Sequence, residues 1–261
     1  MRLFRLLFVF LRVGVMGEMA YPANFFVHLL DSVLELATAL GGLALIFAHT
    51  STLAGWRVEE LAALVGVYFL VGGIIGLIIQ PGMEQLTESV RDGSLDFTLA
   101  KPEDSQLLVS VWRVEIWKAV DIVLGLGVLA VALMRMGERV GAGQAAAFAA
   151  TLLAGAVIVY SFWLILATTA FWLVRVENIL MIFQSVYEAG RWPVSIYPGW
   201  LRFALTFLVP VAFAITVPAQ ALAGRLTANT LIGAWAFAAA LFVAARLFWR
   251  IGVRHYSGAS S

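Results

Sequence analysis

Apolar and polar positions along this chain alternate in long blocks, not at the short periods of soluble helices or strands. The apolar stretch 25–48 is long enough to cross a hydrocarbon core of about 30 Å at about 1.5 Å per helical residue. Residues 61–83 form a second such block, in which Gly66, Gly72, Gly73 and Gly76 let neighbouring helices approach closely. Gln80-Pro81-Gly82 is expected to end or kink that helix. Further blocks at 107–134, 144–174, 179–191 and 230–249 give six predicted crossings. Between the last two, residues 192–225 carry Pro193, Pro198, Pro210 and Pro218. Such breaks persist in lipid only when buried in protein or facing a wet cavity, which predicts re-entrant or outer-surface short helices. The pattern defines an all-α integral membrane fold, with residues 1–261 as one transmembrane domain.

Two stretches depart from the apolar blocks. In residues 1–22, Arg2, Arg5 and Arg12 oppose Phe4, Leu7, Phe8 and Leu11, the pattern of an amphipathic helix in the headgroup layer. The apolar run is interrupted at Arg12 and no small-residue cleavage site follows cleanly, so a signal peptide is not expected. The other is the long polar interval that begins at Glu84, with residues 84–106 as a loop outside the bilayer. Leu86 and Val90 are four apart, as in a short amphipathic helix. Arg91-Asp92-Gly93-Ser94 and Lys101-Pro102 are turn and break signals, and Ser105 is placed to cap the helix that follows.

Composition agrees. Of 261 residues 62% are hydrophobic and 13% charged, with mean hydropathy +0.94. A soluble domain carries about 25% charged residues, so most of this surface must face lipid. Without cysteine, disulfides, thiolate catalysis and cysteine-ligated metals are excluded. A net charge of +1 with no dense basic tract gives no reason to expect nucleic acid. Both ends are basic, which places both termini in the cytoplasm and demands an even number of crossings. Six crossings put Arg57, Arg135, Arg139, Arg191, Arg202 and Arg225 outside and the other eleven of the seventeen basic residues inside.

Candidate chemistry is sparse. His28, Asp31 and Glu35 share one helix face as a possible proton relay, or as an intramembrane enzyme site that lacks a fourth metal ligand. The alternative is that Asp31 and Glu35 pair with basic groups on neighbouring helices. A carboxylate inside the bilayer costs about 2.5–3.5 kcal/mol on insertion scales, which singles out Glu35. Glu188 and Arg191 flank the break at Pro193 and would form an outer gate or a salt bridge at the headgroups. Arg113 and Lys118 would snorkel to the inner face, each beside an acid. No phosphate-binding loop or nucleophile motif is present, so any ATP-driven work must come from a partner. A proton-coupled secondary carrier often shows inverted repeats, and the two halves here have no clear self-similarity.

Four stretches carry a family likeness: Tyr21-Pro22-x-Asn24, Gly55-Trp56, Arg91-x-Gly93-x-Leu95-Asp96-x-x-Leu99-x-Lys101-Pro102, and Arg191-Trp192-Pro193-Val194-Ser195-Ile196-Tyr197-Pro198 onward to Pro218. With these the chain resembles the ABC-2 type permeases, most closely a subfamily of six-span bacterial ABC exporter permeases. The likeness covers essentially the whole chain. It implies a cytoplasmic coupling helix that docks on an ATPase subunit, here the region of Glu84, Glu88, Arg91, Asp92, Gly93, Leu95, Asp96, Leu99, Lys101 and Pro102. It further implies a secondary contact at 175–178, an outer gate at 192–224, and a path between two permease copies, identical or related. Asp31, Glu35, Glu188, Arg191, Pro193 and Pro198 are the candidate path or gate residues. ATP and magnesium would bind the partner ATPase and not this chain. The setting implied is the bacterial plasma membrane, with a drug, lipid or glycan as cargo.

Overall fold

A computed structural model describes residues 22–137, 141–173 and 177–256. The amphipathic helix expected over 1–22 lies outside this range except for its last residue, as do the first two residues of the turn expected at 175–178. Among the described residues, five helices are long and apolar enough to cross a membrane. They belong to α1 (Pro22–Phe47), α2 (Val58–Ile74) continued as α3 (Gln80–Asp92), α6 (Ala119–Met136), α7 (Ala142–Thr168) and α11 (Ala228–His255). The shorter helices are α4 (Asp96–Leu99), α5 (Ser105–Ser110), α8 (Glu177–Tyr187), α9 (Gly199–Phe203) and α10 (Val217–Leu222).

The α2–α3 rod is the axis of the molecule, and nearly every residue from Leu61 to Val71 is buried. It packs most extensively against α6, because the crossing is built on glycine. A Cβ on Gly125 would stand 2.5 Å from the Leu70 nitrogen and 2.7 Å from the Gly66 carbonyl oxygen. Only hydrogen fits there, so the two backbones touch as small-residue crossings in lipid require.

Of the two outcomes expected at Pro81, an end or a kink, the helix does not end there. A π-helical turn, Ile75–Ile79, joins α2 to α3, and the helix runs on to Asp92. Proline cannot donate to the carbonyl four residues back, that of Leu77. The Glu115 N–H donates to the Leu77 oxygen instead, at 3.0 Å. The orphaned acceptor is thereby satisfied from the next element, as a low-dielectric setting demands. This same bond displaces the third crossing. It was expected to enter at Leu107, but α5 is a separate short helix, residues 111–115 are non-helical, and the spanning helix starts at Ile116. Asp104, not Ser105, caps α5, accepting from the N–H groups of Gln106 at 3.0 Å and Leu107 at 3.4 Å.

Helices α7 and α11 run parallel. Gly224 lies against Gln144 at one end, and Phe171 against Trp249 and Tyr256 at the other. The chain between them must therefore cross once in the opposite sense. The expectation that 179–191 makes this crossing alone is corrected. Helix α8 has 11 residues, about 17 Å of the roughly 30 Å needed, and a 3₁₀ turn closes it at Glu188–Arg191. The remainder is a broken pair, Gly199–Leu208 and Ala212–Leu222, bent by 81°. Pro193, Pro198 and Pro210 explain the breaks. The pair is wedged against α7, where Gly155 meets the backbone of Phe213 and Ala214.

Candidate functional site

One end of the molecule gathers the connector between α3 and α6, Trp172 and the C-terminal end of α11. The other gathers the 48–57 loop, Met136 and the start of α11 at Ala228. They are called the inner and outer ends below.

At the inner end, Asp92 accepts from the Ser94 N–H at 2.9 Å, and Gly93 takes the left-handed φ of +78° that closes α3. The chain then turns back, and Leu95 is wholly buried in the main core. Its neighbour Phe97 points the other way and is 78% exposed. Asp96 and Leu99 bracket this aromatic on α4, and Lys101 and Pro102 follow on the surface. The connector is fixed from behind by Arg246 of α11, which donates to Asp104, and to Gln106 at 2.7 Å. The Arg246 bond holds the Asp104 carboxyl below its ordinary value of 3.8. Tyr256 also abuts the connector: burial, then the charges of Asp96 and Asp92, push its phenol above 10.0. Glu84, Glu88 and Arg91 line a recess of about 310 Å³ with Arg113 and Gln184. Of the ten connector residues picked from sequence, Glu84, Glu88 and Arg91 line the recess, Leu95 is buried in the core, and the rest belong to the loop tip.

The second group lies near mid-depth. Glu35 of α1 accepts from Arg191 and, at 3.2 Å, from the Tyr68 hydroxyl. Arg191 lies over the Tyr68 ring, 5.3 Å from its centre. The Tyr187 hydroxyl donates to the Tyr68 carbonyl at 2.9 Å, and the two rings stack. Ser32 donates to Asp121, which also pairs with Lys118 at 3.7 Å. Glu35, Tyr68, Tyr187, Lys118 and Asp121 border a polar recess of about 150 Å³ that also includes Gln80 and Glu188. Tyr68 lies about 15 Å along α2 from its start, by helical rise, so this is the interior of the bilayer and not the headgroup layer. Arg191 therefore pairs with α1, not with Glu188 as supposed. Charges at this depth are held in hydrogen-bonded pairs because each alone would be costly.

Asp31 is exposed and His28 half-buried on α1, while Pro193 is buried and Pro198 exposed. Among the described residues no group of three His, Asp or Glu side chains is placed to hold a metal. Arg113 and Lys118 do sit beside acids, Glu115 and Asp121.

Sequence reasoning missed a third cluster, at the outer end. Glu60 is 2% exposed and accepts two bonds from Arg225, at 2.6 and 2.9 Å, and one from the Arg57 N–H at 2.8 Å. Arg225 covers the Trp56 ring at 5.2 Å. Trp56, expected as an interfacial anchor, is instead buried beneath that guanidinium.

These features describe a multi-pass helical membrane protein with an exposed connector at one end and paired charges within the bilayer. A sequence profile of the ABC-2 family transporter proteins matches residues 33–260, and the chain belongs to that family. No curated protein and no solved structure matches it.

Proposed function

We propose that this chain is the permease subunit of an ATP-driven exporter in the bacterial plasma membrane, with ATP and magnesium bound by a separate ATPase that docks on the connector. The observation that supports this most is Phe97, an exposed aromatic on a short helix, anchored from behind by buried Leu95 and by the Asp104–Arg246 pair. An exposed aromatic on a braced loop is what a docking subunit needs as an anchor. Force applied at α4 passes into the α2–α3 rod through Leu95, and into α6 through the Glu115–Leu77 bond.

Glu35 and Arg191 are each only half-buried. Partly exposed charges at mid-depth belong against a wet path or another protein surface, not lipid. That orients α1 and the Arg191 break toward a second permease copy, with the path between them. Asp31, Glu35, Glu188 and Arg191 would line it, and the bent pair after Pro193 and Pro198 would form its outer gate.

The test is affinity purification from native membranes, with and without residues 92–101 scrambled. An ATPase bearing a phosphate-binding loop is expected with the native chain and lost with the scrambled one, while both elute as folded protein. The purified chain alone should hydrolyse no ATP. An ATPase retained by the scrambled chain, or hydrolysis by the isolated chain, overturns the reading. Substrate movement in vesicles driven by a proton gradient without ATP would establish a secondary carrier instead.

A further inference from the structure

A cleft of about 620 Å³ lies between α1, α2 and α6. Its α6 wall runs from Val123 to Arg135, about 18 Å by helical rise. That is close to the depth of one leaflet, half of a hydrocarbon core of about 30 Å. The walls are apolar apart from two charged residues, Glu59 and Arg135. Both sit at the outer end, Glu59 in the first turn of α2 and Arg135 in the last turn of α6. Neither has a hydrogen-bond or ion-pair partner among the described residues, whereas the adjacent Glu60 is fully engaged by Arg225 and Arg57. Gly127 lines the cleft and has nothing within 4 Å of where its Cβ would be.

An apolar slot one leaflet deep, with opposite charges at its headgroup end, has the chemistry of one lipid. We propose that the cleft holds a zwitterionic phospholipid with a primary ammonium headgroup, of the phosphatidylethanolamine type. One acyl chain lies between α1 and α6, the ammonium donates to Glu59, and the phosphate accepts from Arg135. A quaternary choline headgroup has no N–H to donate to the carboxylate. An anionic glycerol headgroup engages Arg135 but sets its phosphate beside an uncompensated Glu59. The lipid fills the gap between the core and α1, the least buried of the five spanning helices. The inference rests on the membrane fold alone and is independent of the transport reading.

Native mass spectrometry of the detergent-purified full chain, equilibrated with equal amounts of phosphatidylethanolamine, phosphatidylcholine and phosphatidylglycerol, tests it. The wild type should retain one phosphatidylethanolamine, preferred about tenfold over the others, the scale of one charge-assisted hydrogen bond. Glu59→Gln should abolish the preference over phosphatidylcholine, and Arg135→Gln should weaken retention of all three. Gly127→Phe fills the slot and should expel the lipid whatever its headgroup. Equal retention of the three lipids by the wild type overturns the proposal. So does an unchanged lipid complement in Gly127→Phe. Should Gly127→Phe fail to fold, the two headgroup variants decide the matter, because neither Glu59 nor Arg135 is a buried side chain.

Discussion

Glu60 and Arg225 show how burial sets the cost of losing a charge. The carboxylate is 2% exposed and the guanidinium's side chain 39%. Removing Arg225 leaves a buried anion with Arg57 as its remaining cation, whereas neutralising Glu60 leaves an arginine that water reaches. Breaking a buried pair from the side that strands the buried charge is the costly direction. Arg225→Met is therefore expected to destabilise the protein by about 1–3 kcal/mol, and Glu60→Gln by clearly less. The double variant should recover most of the Arg225→Met loss. Thermal melts of the three variants in detergent check the order, and a larger loss for Glu60→Gln would contradict it. This cluster was hard to see in the sequence because Glu59, Glu60 and Arg57 look alike there, as headgroup charges. Only the fold separates the engaged Glu60 from Glu59, which has no partner among the described residues. Glu35 was legible, since a carboxylate inside an apolar block is conspicuous by its cost. Its partner Arg191, 156 residues away, was not, because nothing local links them.

At the scale of elements, hydropathy located the spanning helices, and errors arose where a long-range hydrogen bond overrode local pattern. Leu107–Val111 continues the apolar run into the third span, so the sequence reads as one helix. The Asp104 cap and the Glu115–Leu77 bond instead hold it as a separate turn beside α3. Pro81 erred the other way, a local breaker whose orphaned carbonyl found a partner. The Asp104 cap can be tested directly. Asp104→Asn keeps an acceptor for the Gln106 N–H but loses the charge facing Arg246, and Asp104→Ala loses both. The alanine variant should cost about 0.5–2 kcal/mol more than the asparagine one, read as faster amide exchange over residues 104–110. The pH dependence follows from the sign of the shift. The folded Asp104 pKa lies below its ordinary 3.8, so the pair contributes its full stability above that value and loses it as pH falls through the lowered pKa. Protection of the connector should be flat from neutral pH to about 5 and fall only in stronger acid. In Asp104→Asn that acid-dependent step should be absent.

At the scale of the molecule, everything depends on which structural features share an end. The connector, Arg254 and the end of α7 lie together, while the 48–57 loop and the start of α11 lie at the opposite pole. That arrangement forces the crossing between α7 and α11 although no helix there is long enough to announce it. It also sets the exposed Phe97 at the connector's end, where the proposed function needs a soluble motor to dock. Because the chain contains no cysteine, single cysteines report sidedness without background. Ser51, Lys101, Asn229 and Arg254 are all exposed, and each can be replaced by cysteine without disturbing a core contact. A membrane-impermeant maleimide applied to intact cells should label Ser51→Cys and Asn229→Cys and spare Lys101→Cys and Arg254→Cys until the cells are opened. Labelling of Lys101 and Arg254 alone from outside would invert the molecule and place the connector beyond reach of a cytoplasmic ATPase, leaving the fold intact and the proposed function without a motor. A split within either pair would be more damaging, because it would mean that α7 and α11 do not run parallel and that the fifth crossing is not required.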